Sequence, residues 1–253
     1  MRNKIGLGFV LFLLCVLIPI FNTKENSLRM NFSDISDKEK HIREDSKMIF
    51  ADLRTFNPKC DSIQARMTAE ALSVFEMSAQ RDRLIAQLCT ESSGKHTKNN
   101  KVLISSGGAM GISQITPTTA FHFMKYSLKA KDKKRLNDIG VTIPDWIVTM
   151  KYSINENGKR YLGSKDREKV KEFLADPRNN ISLWTCMMST LKDKYGMEKA
   201  LIAYTDGEGS IKGKNPNVHP YVKRVKKNEK LLADHRNEHK RSKKNLSKKG
   251  NKA

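Results

Sequence analysis

The chain has 253 residues, with 48 Lys and Arg against 27 Asp and Glu, a formal net charge of +21. Apolar residues make up 38% and charged residues 30%, and there are 4 Cys, which excludes a multi-span membrane protein and a disulfide-dense chain. So large a basic excess points first to an anionic partner: nucleic acid, anionic lipid or an acidic wall polymer.

Arg2 and Lys4 precede an uncharged run from Ile5 to Thr23. Its 19 residues span about 28 Å as a helix, close to the ~30 Å hydrocarbon core. With the basic flank first, the N-terminus is expected in the cytoplasm and the remainder exported. Pro19-Ile20-Phe21-Asn22-Thr23 offers no small-residue cleavage site, which favours an uncleaved anchor at 1–23 over a removed signal peptide. Residues 24–60 read as a polar stalk. Ile35, Ile42 and Ile49 stand seven apart, but Lys38, Asp45 and Asp52 occupy the companion positions, so this is no coiled coil. Ser36 and Glu39 have capping-box spacing.

The pattern predicts a helix over 61–78 with Ile63, Met67, Val74 and Phe75 on one stripe and Asp61 or Ser62 as N-cap. A second helix is predicted over 79–91, stopped by Ser92-Ser93-Gly94. Val102-Leu103-Ile104 reads as extended, and the small residues 105–111 follow. Thr116-Pro117 is a cap with a first-turn proline, and Phe121, Met124 and Leu128 space as a helical face. Residues 129–178 read as a charged insertion with some helices. Asn180 is the predicted cap of a helix carrying Ile181, Trp184, Met188 and Leu191 and closed by Gly196. A helix over 197–204 stops at Asp206-Gly207, and Pro220 opens a short one with Tyr221, Val222 and Val225. Residues 227–253 read as a disordered basic tail. Residues 222–253 hold 13 Lys and Arg against three acids, so nearly half the charge excess sits at one end. Cys60, Cys89 and Cys186 match no zinc spacing and read as buried small residues or one bridge; no metal and no cofactor are expected.

Glu91 stands out. Leu84, Leu88 and Glu91 lie at i, i+4 and i+7, so a carboxylate shares an apolar helical face. It also sits in the last turn, where the helix dipole disfavours negative charge. Both effects favour the protonated form, which is what a general acid needs. The alternative is a helix that stops at Leu88 and leaves Glu91 in solvent.

Glu91-Ser92, then Gly108-Ala109-Met110-Gly111-Ile112-Ser113-Gln114-Ile115-Thr116-Pro117, resembles the soluble lytic transglycosylase domain family, whose pattern is Glu-Ser followed by Gly-Ala-Met-Gly-Leu-Met-Gln-Ile-Met-Pro. Asn180-Ile181, Ala203-Tyr204-Thr205 with Gly207-Glu208-Gly209, and Tyr221-Val222-Lys223-Arg224-Val225 match its later blocks in order. The resemblance implies a mostly α, lysozyme-like α+β domain over 61–226, with a small extended hairpin region beside the active-site cleft. It implies cleavage of the bond between N-acetylmuramic acid and N-acetylglucosamine in peptidoglycan, leaving 1,6-anhydro ends, with Glu91 as the single acid/base. It also implies substrate contacts at Ser105, Gly108, Ser113, Gln114 and Tyr204, with Tyr204 hydrogen-bonded to the acid. No acidic residue lies in 92–131, which suits a reaction whose nucleophile is the substrate's own hydroxyl.

Departures are Ser113 and Thr116 at two family Met positions, Thr205 at an Asn, Trp184 at a Gly, and a longer stretch between Ala120 and Asn180. With the N-terminal segment, the resemblance gives the expectation of a periplasm-facing, inner-membrane-anchored enzyme, and by analogy a secretion or conjugation machine as partner. A goose-type lysozyme-like hydrolase and a catalytically weak wall-binding scaffold are the alternatives. Nucleic acid is not expected as a specific partner, because no aromatic residue lies in the basic tail to stack on bases.

Overall fold

The computed structural model describes residues 37–158 and 160–250, with backbone alone from 243 to 250. The expected membrane segment and Ser36 lie outside the described residues. No helix among the described residues is long and apolar enough to cross a membrane. The chain divides into two units, Met1–Glu44 and Asp45–Ala253.

The protein is mostly helical. Helix α1 covers 37–56. It is followed by α2 (Ser62–Val74), α3 (Arg81–Ser92), the hairpin β1 (Thr97–Lys98) and β2 (Lys101–Val102), and α4 (Pro117–His122). Then come α5 (Ala130–Asp138), α6 (Trp146–Thr149), the hairpin β3 (Ser153–Ile154) and β4 (Arg160–Tyr161), and α7 (Ser164–Ala175). The chain closes with α8 (Pro177–Tyr195), α9 (Met197–Asp206) and α10 (Pro220–Gly250).

Helix α8 is the centre of the second unit. Asp176 caps it, accepting from the Arg178 and Asn179 amides at 2.7 and 3.1 Å, with Pro177 in its first turn. Asn180 is therefore inside the helix rather than its cap. The stronger start signal, Asp-Pro, lies four residues earlier. The helix ends at Gly196, whose φ of 77° suits glycine. Every residue from Asn180 to Ser189 is buried, including Trp184, so α8 is covered on all sides.

Helix α2 packs on α8 through Ala65, Thr68, Ala69, Ala71 and Leu72. The predicted stripe was rotated: Ile63 is 58% exposed. Small residues carry the contact because they let two helix backbones approach closely. The helix also stops earlier than predicted, before the left-handed Glu76 at φ 56°.

Two segments differ from expectation. Residues 45–60 are not a stalk: Ile49, Asp52 and Leu53 are at most 1% exposed. The stretch 129–178, read as a charged insertion, contributes Leu136, Val141, Leu162, Val170 and Leu174 to the core. Residues 227–250, expected to be disordered, are helical: α10 runs through them. Leu232 is buried, and the Arg236 guanidinium lies bidentate on Asp52 at 2.6 and 2.8 Å while also bonding Asp82. Composition hid this because only one face of α10 carries its anchors, Val222, Val225, Leu232 and Arg236, at spacings of three, seven and four.

Candidate active site

Helix α3 continues through Glu91 to Ser92. Leu84, Ile85 and Leu88 are fully buried, each contributing about 1.5–3 kcal/mol. Glu91 lies on that face and is half-buried. Burial pushes its carboxyl above the usual range, against the lowering pull of the Tyr221 hydroxyl and of Arg224. Tyr221, in the first turn of α10, donates its phenol hydrogen to Glu91 Oε1.

Ser92 ties this helix end to the glycine loop. Its hydroxyl reaches the Ile112 carbonyl at 2.7 Å and the Leu88 carbonyl at 3.1 Å. Ser93 then turns left-handed at φ 55° and the chain enters β1–β2. The loop beyond β2 is held by Gly111 N–H to Leu103 O at 2.8 Å and Met110 N–H to Ile115 O at 2.9 Å. His96 props it from behind. Its Nε2 lies 2.9 Å from the Ala175 carbonyl and its Nδ1 accepts from the Ile112 amide at 3.3 Å. Because Nδ1 accepts from an amide, the hydrogen sits on Nε2 facing the Ala175 carbonyl, and burial lowers the His96 pKa in the same sense.

Asn180 fastens the loop to α8. Its Nδ2 donates to Met110 O at 3.0 Å, and its Oδ1 accepts from the Ser113 amide at 3.2 Å and hydroxyl at 2.7 Å. Gly111 sits directly against this amide at φ 71°. A Cβ there would lie 2.7 Å from Asn180 Nδ2 and 2.8 Å from His96 Cε1.

The expected substrate contacts divide. Tyr204 stands near Glu91, and Gln114 lies on the glycine loop. The Tyr204 hydroxyl donates to the Ser113 carbonyl, and the ring is close enough to Glu91 to feel its charge. The bond from Tyr204 to the acid expected from the resemblance is made by Tyr221 instead. Gln114 is left-handed at φ 55° and donates its amide to Gly111 O at 2.8 Å. A non-glycine residue held there stores backbone strain, as functional sites often do.

Ser113 is fully buried, with its hydroxyl spent on Asn180, so its side chain is not offered to a ligand; its carbonyl holds Tyr204 instead. Ser105 is exposed, and its hydroxyl closes the loop by accepting from Ala109 N–H at 3.0 Å. Gly108, at φ 78° with open space around it, forms the same turn.

A cavity of about 480 Å³ has Tyr204 in its lining. His122, Tyr152, Met187, Lys194, Tyr204 and Glu208 are among the residues that line it. Glu91 is not among them; Tyr204 is, and it also feels the Glu91 charge. The Lys194 ammonium and Tyr195 hydroxyl hold the Glu208 carboxyl below the usual range.

Tyr221 is the residue that reasoning on site chemistry missed. Its signal was present, a tyrosine one position after a helix-opening proline, but nothing local linked it to Glu91. Among the described residues no group of three His, Cys, Asp or Glu is placed to hold a metal. Cys60, Cys89 and Cys186 are buried free thiols, and burial pushes the Cys60 thiol up to about 11.

Compared with family models, curated proteins and solved structures, the chain matches none of them significantly.

Proposed function

We propose that the protein is a peptidoglycan lytic transglycosylase with a lysozyme-like catalytic region, in which Glu91 acts as both acid and base. The observation that carries this is the state of Glu91. It is a half-buried carboxyl in the last turn of a helix, with its pKa raised by burial and one oxygen fixed by Tyr221, beside a glycine loop and Tyr204. A protonated Glu91 donates to the glycosidic oxygen as the bond to C1 breaks. The resulting carboxylate then takes the proton of the muramic 6-hydroxyl as O6 bonds to C1. The acid is thereby regenerated and a 1,6-anhydro ring closes. Positioned proton transfer of this kind supplies roughly 10²–10⁴ in rate. In this reading the chain faces the periplasm from an N-terminal inner-membrane segment and acts on glycan strands, in the service of a secretion or conjugation machine.

The test is incubation of the protein with purified peptidoglycan and mass analysis of the muropeptides. Anhydro-muropeptides that disappear with Glu91→Gln support the reading. Their absence, or full activity in the variant, overturns it.

A second reading, a goose-type lysozyme-like hydrolase, draws on Glu208. A carboxylate held ionised in the wall of the adjoining cavity is what a base for water requires. It predicts reducing ends in place of anhydro ends, and a loss of turnover with Glu208→Gln.

A further inference from the structure

A second cavity, of about 580 Å³, lies among Asn57, Lys59, Asp61, Lys95, Lys98 and Asn100. Its remaining lining residues, Gln64, His96, Thr97 and Asn99, are also polar. An all-polar cavity does not attract an apolar ligand. Three lysines and one carboxylate line it, and that carboxylate already accepts the Ile63 amide at 2.8 Å as the cap of α2. The three ammonium groups form no ion pair with the described residues.

The walls are fixed before any ligand arrives. Asn57 is buried, accepts from the Lys59 amide at 3.3 Å and donates to Gly94 O at 3.4 Å. His96 is locked between Ala175 and Ile112. Asn99 and Asn100, both left-handed at φ 53° and 59°, close the β1–β2 turn that forms the rim. Fixed walls lower the ordering cost of binding, and unpaired cations over a polar concavity favour a compact anion with several oxygens.

We propose that this cavity is an anion-binding site, distinct from the Glu91 site, for a ligand bearing clustered phosphate or carboxylate groups. It stands whether or not the transglycosylase reading holds.

The test is an NMR titration of the full chain with tripolyphosphate, and separately with citrate. The basic helix α10 also attracts anions, so the readout must be local. Either anion should shift the amides of Thr97, Lys98, Asn99 and Asn100 in a saturable way. The double variant Lys59→Gln/Lys98→Gln should weaken that binding roughly tenfold. Both lysines are exposed, so the variant is expected to fold, and an unchanged spectrum elsewhere checks this. Shifts confined to α10, no saturable shifts at all, or equal binding by the double variant would each overturn the proposal.

Discussion

Substitution of two glycines in one loop separates backbone strain from packing. Gly111 and Gly108 both have positive φ, 71° and 78°. Alanine at either pays the left-handed cost of roughly 1–2 kcal/mol. Its gain from a stiffer unfolded chain is the same at both and cancels in the comparison. The surroundings differ. At Gly108 an added Cβ has nothing within 4 Å. At Gly111 it meets Asn180 Nδ2 at 2.7 Å, Asn180 Cγ at 2.8 Å and His96 Cε1 at 2.8 Å. Neither neighbour can yield freely, because Asn180 makes three hydrogen bonds to the loop and His96 is held at both nitrogens. Overpacking costs about 1–3 kcal/mol and each hydrogen bond lost about 0.5–1.5 kcal/mol. Gly111→Ala is therefore expected to destabilise by about 2–4 kcal/mol more than Gly108→Ala. Urea unfolding followed by circular dichroism, with a shared m-value, measures both. If the two variants lie within about 0.5 kcal/mol of each other, the packing of Gly111 against Asn180 and His96 is not what this reasoning holds it to be.

Three further predictions concern charge and the acid itself. The folded pKa of Glu91 is raised, so the stability linked to its protonation is fully present below the unfolded pKa and is lost as pH rises through the folded one. Glu91→Gln should therefore melt above the wild type at pH 7.5 and lose that advantage toward pH 4; an equal difference at both pH values counts against a desolvated acid. Tyr221→Phe removes the donor that favours the Glu91 carboxylate, so the alkaline limb of the pH–activity profile, where the acid loses its proton, should move to higher pH while the melting temperature changes little; an unmoved limb refutes the contact. Arg236→Ala leaves Asp52, 1% exposed, as a buried unpaired carboxylate, and should cost about 3–5 kcal/mol in chemical denaturation. A cost below about 1 kcal/mol would mean that α10 is not strapped to the fold.

The site was legible in the sequence to the extent that its signals were local. The apolar spacing of Leu84 and Leu88 placed Glu91 on the buried face, and Thr116-Pro117, Gly196 and Pro220 marked helix ends where they fall. The residues of the glycine loop were identified, but not their tasks. Ser113 and Ser105 look alike in one dimension as polar candidates. One is buried on Asn180 and the other closes a surface turn.

What the sequence by itself determined about this protein is its mostly helical character, the concentration of positive charge at the C-terminal end, and the placing of Glu91 on an apolar face. Periodicity and capping act within a few residues, and such features follow from them. The tertiary structure alone decided that Tyr221 partners Glu91 across 130 residues and that Arg236 reaches Asp52 across 184. It also decided that a segment rich enough in lysine to read as a disordered tail is a helix with one packed face. Those pairings depend on which surfaces meet when the core closes. Burial then fixes the chemistry: the water that would have screened Glu91 and Asp52 is removed only once α10 lies along α3.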